Sequence, residues 1–345
     1  MSAAPRVRDI LDRIARVSVA VCGDFCLDAY WMLDPRGGEE SAETGLRAQA
    51  VGRHYYSPGG AANVVANVAA LRPARVRAIG IVGDDIFGRE LLRQLHGLAV
   101  DTAGMVVQPA RFDTVTYGKR YGEGREEPRI DFGFFNERSE AADAAVLSHL
   151  RAAIDECDAV IFNQQVPGGL SEAFIGGLNA LVHACPDAIV LADSRHYAGR
   201  LGRVYRKTND VEAARLNGVV LVRGVHPPFP DLQAFAARLH AASGKPVFVT
   251  CGARGILTMD ASGIHHAPGI PLRGPVDNVG AGDTVTGALA LCLGAGVAPA
   301  EAATFANLAA AVTVEKVLQT GTASPEEVLT LIARVQSGDS HGERS

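Results

Sequence analysis

The chain has 345 residues, of which 48% are apolar and 21% charged, a composition that supports a sizeable core and excludes disorder over most of the length. Its 38 Gly and 17 Pro follow no triplet repeat, so collagen-like and low-complexity readings fail. A formal net charge of −5 leaves no surplus of Lys and Arg to neutralise the phosphates of a nucleic acid.

In chain order, Met1–Arg16 alternates charge with Ile and Leu and lacks the apolar core of an export leader. Val- and Ile-rich runs at Val17–Cys22, Val76–Val82, Ala159–Phe162, Ala188–Ala192, Val219–Val222 and Val247–Thr250 predict strands. Helical periods at Asp85–His96, Ala142–Ile154, Ser171–Ala184 and Leu232–Ala242 lie between several of them. That alternation predicts an α/β fold, a mainly parallel sheet with helices on both faces. No Pro/Gly-rich linker divides it, so residues 1–345 are expected to form one domain. Two regions break the pattern. Leu46–Ser57 and Thr114–Phe135 alternate polar and apolar residues and carry Tyr55, Tyr56, Tyr117 and Tyr121. They predict half-exposed antiparallel strands added to the main sheet as a lid or an interface, from about 30–57 and 111–136. Gly59-Gly60 directly behind the first region is a candidate hinge, and the polar residues 336–345 predict a flexible tail. The longest uncharged stretch, Val285–Ala300, is cut by Gly294, Gly296 and Pro299 and is shorter than the roughly 20 residues that span a bilayer. The six cysteines form no C-x-x-C pair and read as buried thiols of a reducing compartment, so the expected location is the cytoplasm.

The stretch Asp277-Asn278-Val279-Gly280-Ala281-Gly282-Asp283-Thr284 carries the most chemistry. A Gly-x-Gly turn feeding a helix presents unpaired backbone N–H groups at a positive dipole end, which suits an anion. A carboxylate in that turn would repel a phosphate. It makes sense if Asp283 takes the proton of a hydroxyl that attacks a phosphoryl group held by the N–H cluster. The plainer alternative is an Asp that caps the helix. A dinucleotide fingerprint would need Gly where Val285 stands, and neither Gly118-Lys119 nor Gly244-Lys245 continues into the Ser or Thr of a P-loop. Pro58-Gly59-Gly60-Ala61-Ala62-Asn63-Val64 could let a substrate lie against backbone, with Asn63 offering a donor and an acceptor to hydroxyls, or it is only a turn. Thr250-Cys251-Gly252-Ala253-Arg254-Gly255 ends a predicted strand, where open α/β sheets bind ligands.

With these elements in this order, together with Asn209-x-x-Glu212, the chain resembles the pfkB (ribokinase-like) carbohydrate kinases over about residues 17–328. The resemblance implies a three-layer αβα sandwich with a small β lid, and ATP-dependent transfer of a phosphoryl group to a sugar hydroxyl. It casts Asp283 as base and Gly280, Ala281 and Gly282 with it as the anion hole. Asn209 and Glu212 would hold Mg²⁺ largely through water, and Thr250, Gly252 and Gly255 would line the ATP phosphates with Asn307 beside the adenine. Asp28, Gly59, Gly60, Asn63 and Asn163 would meet the sugar, and Asp277 would help seat K⁺ in members that use it. It also implies a homodimer formed through the lid. Within the family the heptose-7-phosphate kinase branch is most similar, through Gly23-Asp24 with Leu27-Asp28-Ala29-Tyr30-Trp31 and through the Pro58–Val64 segment. The chain departs from that branch at Asn278 and at Phe162-Asn163-Gln164, and no nucleotidyltransferase segment is expected after about residue 330. The lid cations Arg47, Arg53, His54, Lys119, Arg120, Arg125 and Arg129, with Arg195 outside it, either grip a phosphate on the acceptor or form a solvated mixed face with Asp113, Glu123, Glu126, Glu127 and Asp131. Two other readings stay open: a nucleoside or other small-alcohol kinase of the same superfamily, and a non-catalytic sugar or nucleotide sensor.

Overall fold

A computed structural model describes residues 3–272, 274–316 and 321–338. After helix α1 (Ala3–Ile14), strand β1 (Ser18–Gly23) passes through one residue into β2 (Phe25–Leu33), and β3 (Val51–Gly60) runs into α2 (Ala61–Ala70). Next come β4 (Arg75–Gly83), α3 (Ile86–Gly97), β5 (Asp101–Gln108), β6 (Thr116–Gly122), β7 (Arg125–Glu126), β8 (Ile130–Phe132) and α4 (Glu140–Glu156). The second half holds β9 (Ala159–Gln164), α5 (Glu172–Ala184), β10 (Val190–Ser194), β11 (Tyr205–Asn209), α6 (Asp210–Leu216), α7 (Phe229–Ser243), β12 (Val247–Thr250), β13 (Ile256–Asp260) and β14 (Gly263–Ala267). Helices α8 (Ala281–Gly294), α9 (Pro299–Val314) and α10 (Pro325–Gly338) close the chain.

Nine strands form the main sheet in the order β14-β13-β12-β11-β10-β9-β1-β4-β5. It is parallel from β12 to β5, and only β13 and β14 run antiparallel. The central strands β1, β9, β10 and β12 are buried on both faces, as the Val/Ile-rich runs require. One face packs on α1, α2, α3, α8, α9 and α10, the other on α4 and α5 and, at its far end, on α6 and α7. This is the expected αβα sandwich. Residues Thr284–Leu293 of α8 are all buried, so this helix is apolar because it runs through the core. No helix among the described residues is long and apolar enough to cross a membrane.

Four details correct the sequence reading. The lid strands are not additions to the main sheet: β3-β2-β6-β7, with β8 on β6, form a second sheet of five strands, in which β2 and β6 pair in parallel. Gly59 and Gly60 are no free hinge, because they end β3 in register with Cys26 and Phe25 of β2. Val219–Val222 is a surface loop with Val220 93% exposed, and its place in the sheet is taken by β11, whose polar sequence masks a strand. Residues 336–338 finish α10, and the rest of the expected tail, 339–345, lies outside the described residues.

Candidate active site

The site forms where the parallel strands end and the second sheet begins. In the α8-facing half of the core, Val21, Ile161 and Leu191 are apolar. Two residues further along the same face, strand period brings up a rung of different character. Gly23, Asn163 and Asp193 are register partners across β1, β9 and β10, and Lys207 of β11 completes the rung with Nζ 2.9 Å from Asp193 Oδ2. Thr286 of α8 donates its hydroxyl to the same Asp193 oxygen at 2.8 Å. Both ends of the ion pair are almost wholly buried. Asn163 is fully buried too, and neither atom of its amide has a hydrogen-bond partner among the described residues. It lies in the floor of the cleft and not on its open wall.

Above this floor begins α8. Gly280 caps it in the left-handed region (φ 81°), a conformation that suits glycine. Ala281 N–H donates to Asn278 C=O at 3.3 Å, while the N–H groups of Gly282 and Asp283 belong to the first turn and have no intrahelical acceptor. Asp283 is therefore not the helix cap. Its Oδ2 accepts from Asn63 Nδ2 at 2.6 Å, and Asn63 is steadied by Asn67 Nδ2, which donates to its carbonyl at 2.9 Å. Asn67 in turn accepts from Thr284 Oγ1 at 2.6 Å, so a chain of amides and hydroxyls ties α2 to α8 around the carboxylate. Burial pushes the Asp283 carboxyl up to about 6, against the Asn63 hydrogen bond and the charges of Lys207 and Arg195. A carboxylate titrating there is suited to take a proton near neutrality. A Cβ built on Gly282 would lie 3.2 Å from Lys207 Nζ, so the lysine's ammonium sits directly under the turn.

On the second sheet, Asp28 of β2 receives Lys119 Nζ of β6 at 3.0 Å, and the same ammonium donates to Tyr30 Oη at 3.1 Å. Gly59 packs beside Asp28, and the thiol of Cys26 lies against Gly60. Asp28, Gly59, Gly60, Asn63 and Asp283 are thus gathered at one end of the cleft.

The remaining candidates lie on α6, β12 and the turn after it, α9 and the segment that leads into α8. Asn209 caps α6 in a reciprocal box: its Oδ1 accepts from Glu212 N–H at 2.8 Å, and Glu212 Oε2 accepts from Asn209 N–H at 3.0 Å. The box uses Glu212 Oε2, and the other carboxylate oxygen suits a Mg²⁺ that keeps most of its waters. Among the described residues no cluster of three or more acidic, His or Cys side chains would make a direct metal cage. Thr250 ends β12 with its hydroxyl on Thr208 C=O at 3.4 Å. Gly252 faces open space, whereas a Cβ on Gly255 would lie 2.1 Å from Ala267 C=O, so the first glycine leaves room for a ligand and the second permits a close backbone crossing. Asn307 uses its amide on Ala267 and Pro268 carbonyls. Asp277 accepts from Val279 N–H at 3.0 Å.

Two residues of this site, Lys207 and Asp193, had no sequence signal as apolar runs or motifs. The signal available was strand period: charged residues at the carboxyl ends of neighbouring strands, in step with apolar ones two positions earlier.

Comparison with known proteins bears on the family and the fold. The family model for pfkB family carbohydrate kinases matches residues 29–327. A bifunctional protein HldE of Wolinella succinogenes is 28% identical over 333 residues, 96% of this chain and 68% of that protein. The bifunctional protein HldE of Caulobacter vibrioides is 33% identical over 305 residues, 87% of this chain and 60% of that protein. The chain therefore spans about two thirds or less of these curated relatives. Among solved structures, an Arabidopsis thaliana ribokinase complexed with ribose and ATP superposes with a TM-score of 0.69 at 19% identity, over 92% of this chain and 99% of that one, which bears on the fold alone.

Proposed function

The chain belongs to the pfkB family of carbohydrate kinases, phosphotransferases with an alcohol acceptor, and from that membership we propose that it transfers the γ-phosphoryl group of ATP to a hydroxyl of a sugar phosphate, a heptose phosphate being the first acceptor to test. The observation that carries this reading is the carboxylate of Asp283, oriented by Asn63 at 2.6 Å at the head of α8, beside N–H groups that no helix carbonyl takes up. On this reading the acceptor hydroxyl gives its proton to Asp283 as its oxygen bonds to the γ-phosphorus and the bond to ADP breaks. The amides of Gly282 and Asp283 meet the phosphoryl oxygens and lower the barrier by pre-aimed dipoles. Asp28, Gly59, Gly60 and Asn63 orient the acceptor. Thr250 and Gly252 lie along the ATP phosphates. Asn209 and Glu212 would hold the waters of Mg²⁺, which supplies charge neutralisation on the β- and γ-phosphates. The whole chain acts as one catalytic unit, with the five-stranded sheet as its lid.

A phosphorylated acceptor is favoured by Lys119, which lies on the cleft side of the lid next to Asp28, and by the HldE relatives. Release of ADP should be measured with heptose 7-phosphate, other sugar phosphates, free sugars and nucleosides. Fastest turnover with a sugar phosphate is expected, and a free sugar or nucleoside turned over far faster would remove the sugar-phosphate assignment. Asp283→Ala should lose on the order of 10²–10⁴ in kcat while still binding ATP. Unchanged turnover in that variant would remove Asp283 as the base.

A further inference from the structure

The head of α8 is electrically incomplete. Lys207 lies beneath it, but its charge is matched at 2.9 Å by Asp193, and both groups are out of solvent. Arg254, the next cation along the sheet edge, is taken by Asp210 at 2.9 Å. A phosphoryl group in transfer carries negative charge on its equatorial oxygens, and two amide dipoles over a neutral ion pair would face it with no unmatched cation from the protein.

One side chain meets that need. Arg195 stands two residues after Asp193, just past the end of β10 in the turn that follows it. Its backbone is fixed from both sides: Arg195 N–H donates to Gln164 C=O at 2.9 Å, and Arg215 donates to its carbonyl. Its guanidinium, by contrast, is exposed, and among the described residues it makes no hydrogen bond and no ion pair. A solvated surface arginine would fit those facts alone. Its position does not: it lies two residues beyond Asp193, which holds α8 through Thr286, and its charge is felt by Asp283.

We propose that Arg195 is a catalytic residue of the transfer step, an arginine supplied by the chain itself that closes on the γ-phosphoryl oxygens as the bond to ADP breaks. It exchanges no atom with the substrate; the proton still goes to Asp283 and ADP still leaves. A planar guanidinium can bind two of those oxygens at once, and its long side chain on a fixed backbone can reach them without moving the floor. This assignment rests on the kinase reading above.

The test is kcat and KM of Arg195→Ala and Arg195→Lys, measured with whichever acceptor the wild-type chain uses. For Arg195→Ala a fall in kcat of about 10²–10³ is expected, with the KM for ATP held within about threefold, because the contact forms mainly in the transition state. Arg195→Lys should recover part of the loss. Added guanidinium should revive Arg195→Ala and leave Asp283→Ala inactive. The melting temperature should not move, since the side chain is exposed and unpaired. A kcat within about threefold of wild type would overturn the proposal. So would a rise confined to the acceptor KM, which would put the guanidinium on the acceptor's own phosphate. If the wild-type chain releases no ADP from ATP, whether an acceptor is present or not, the kinase reading itself falls, and that result is seen before any variant is made.

Discussion

The protein contains two Lys–Asp pairs of nearly equal geometry in different settings. Lys207–Asp193 spans 2.9 Å on the main sheet with side chains 8% and 6% exposed, and Lys119–Asp28 spans 3.0 Å on the lid sheet at 17% and 13%. The first is covered by α8 and locked by Thr286. The second is open on one side, its ammonium shared with the hydroxyl of Tyr30, whose ring stacks on Tyr55 with centroids 4.5 Å apart. A pair closed off from water has no new partner to accept, so it can only shape the floor. A pair at the cleft wall can hand its hydrogen bonds to an incoming hydroxyl. On the proposed reading the same chemistry thus supports the fold in one region and the acceptor in the other, and the difference is burial.

The sharpest break in this contrast comes from removing one partner of the closed pair. Lys207→Met leaves the Asp193 carboxylate buried and unmatched, which should cost about 3–5 kcal/mol of stability. Adding Asp193→Leu removes the stranded charge and should restore most of the loss, since Thr286 keeps an acceptor in Gly282 C=O at 2.9 Å. Urea unfolding of the single and double variants measures this. A double variant no more stable than the single one would mean that the rung is held by something other than charge matching.

Asp283 lies between the two regions and supplies a smaller, pH-dependent effect. Its carboxyl is lifted to about 6 by burial, so the folded chain binds this proton more tightly than the unfolded one. Stability from this group is complete below the ordinary carboxylate range and is lost as pH rises through about 6. Asp283→Asn carries no charge to bury, so it should be more stable than wild type by on the order of 1–3 kcal/mol at pH 8 and nearly equal to it at pH 4. With Asp283 as the proposed base, wild-type kcat should climb over the same window, because the base must be ionised. An equal gain at both pH values would show that the ionised carboxylate is not what destabilises the fold.

The sequence disclosed the frame and hid the floor for one physical reason. Val247–Thr250 is β12 to the residue, and Asp85 and Ser171 cap α3 and α5 where the helical periods begin. These elements obey the rule that buried strands are apolar. Strand β11, Tyr-Arg-Lys-Thr-Asn, breaks it, because Arg206 turns inward to the carbonyls of Ala198 and Leu201 while Lys207 turns to Asp193. Three valines at 219–222 look more like a strand, yet Gly218 and Gly224 at positive φ bracket them in a loop. The glycine turn and the carboxylate at 280–283 were legible because backbone geometry demands those residues. Lys207 was not, since only its partner on the neighbouring strand explains it. The lid's second sheet was hidden similarly: β2 follows β1 after a single residue, and its parallel pairing with β6 joins segments about ninety positions apart.

The smallest effect on stability belongs to the open pair, and there the effect on function should be larger. Lys119→Met removes an ion pair that water partly reaches, worth about 0–1 kcal/mol, and Asp28 can turn to solvent where Asp193 cannot. Stability should therefore move by no more than about 1 kcal/mol. The acceptor KM should rise about tenfold, while the KM for ATP, which the proposed site places at the far end of the cleft, stays put, the signature of a contact made equally in ground and transition states. Asp28→Asn should act in the same direction, and the two changes together should fall short of their sum if both serve one hydroxyl. Should both KM values rise in parallel with a drop in melting temperature, Lys119 and Asp28 would be a second structural pair, and burial would no longer separate the two regions.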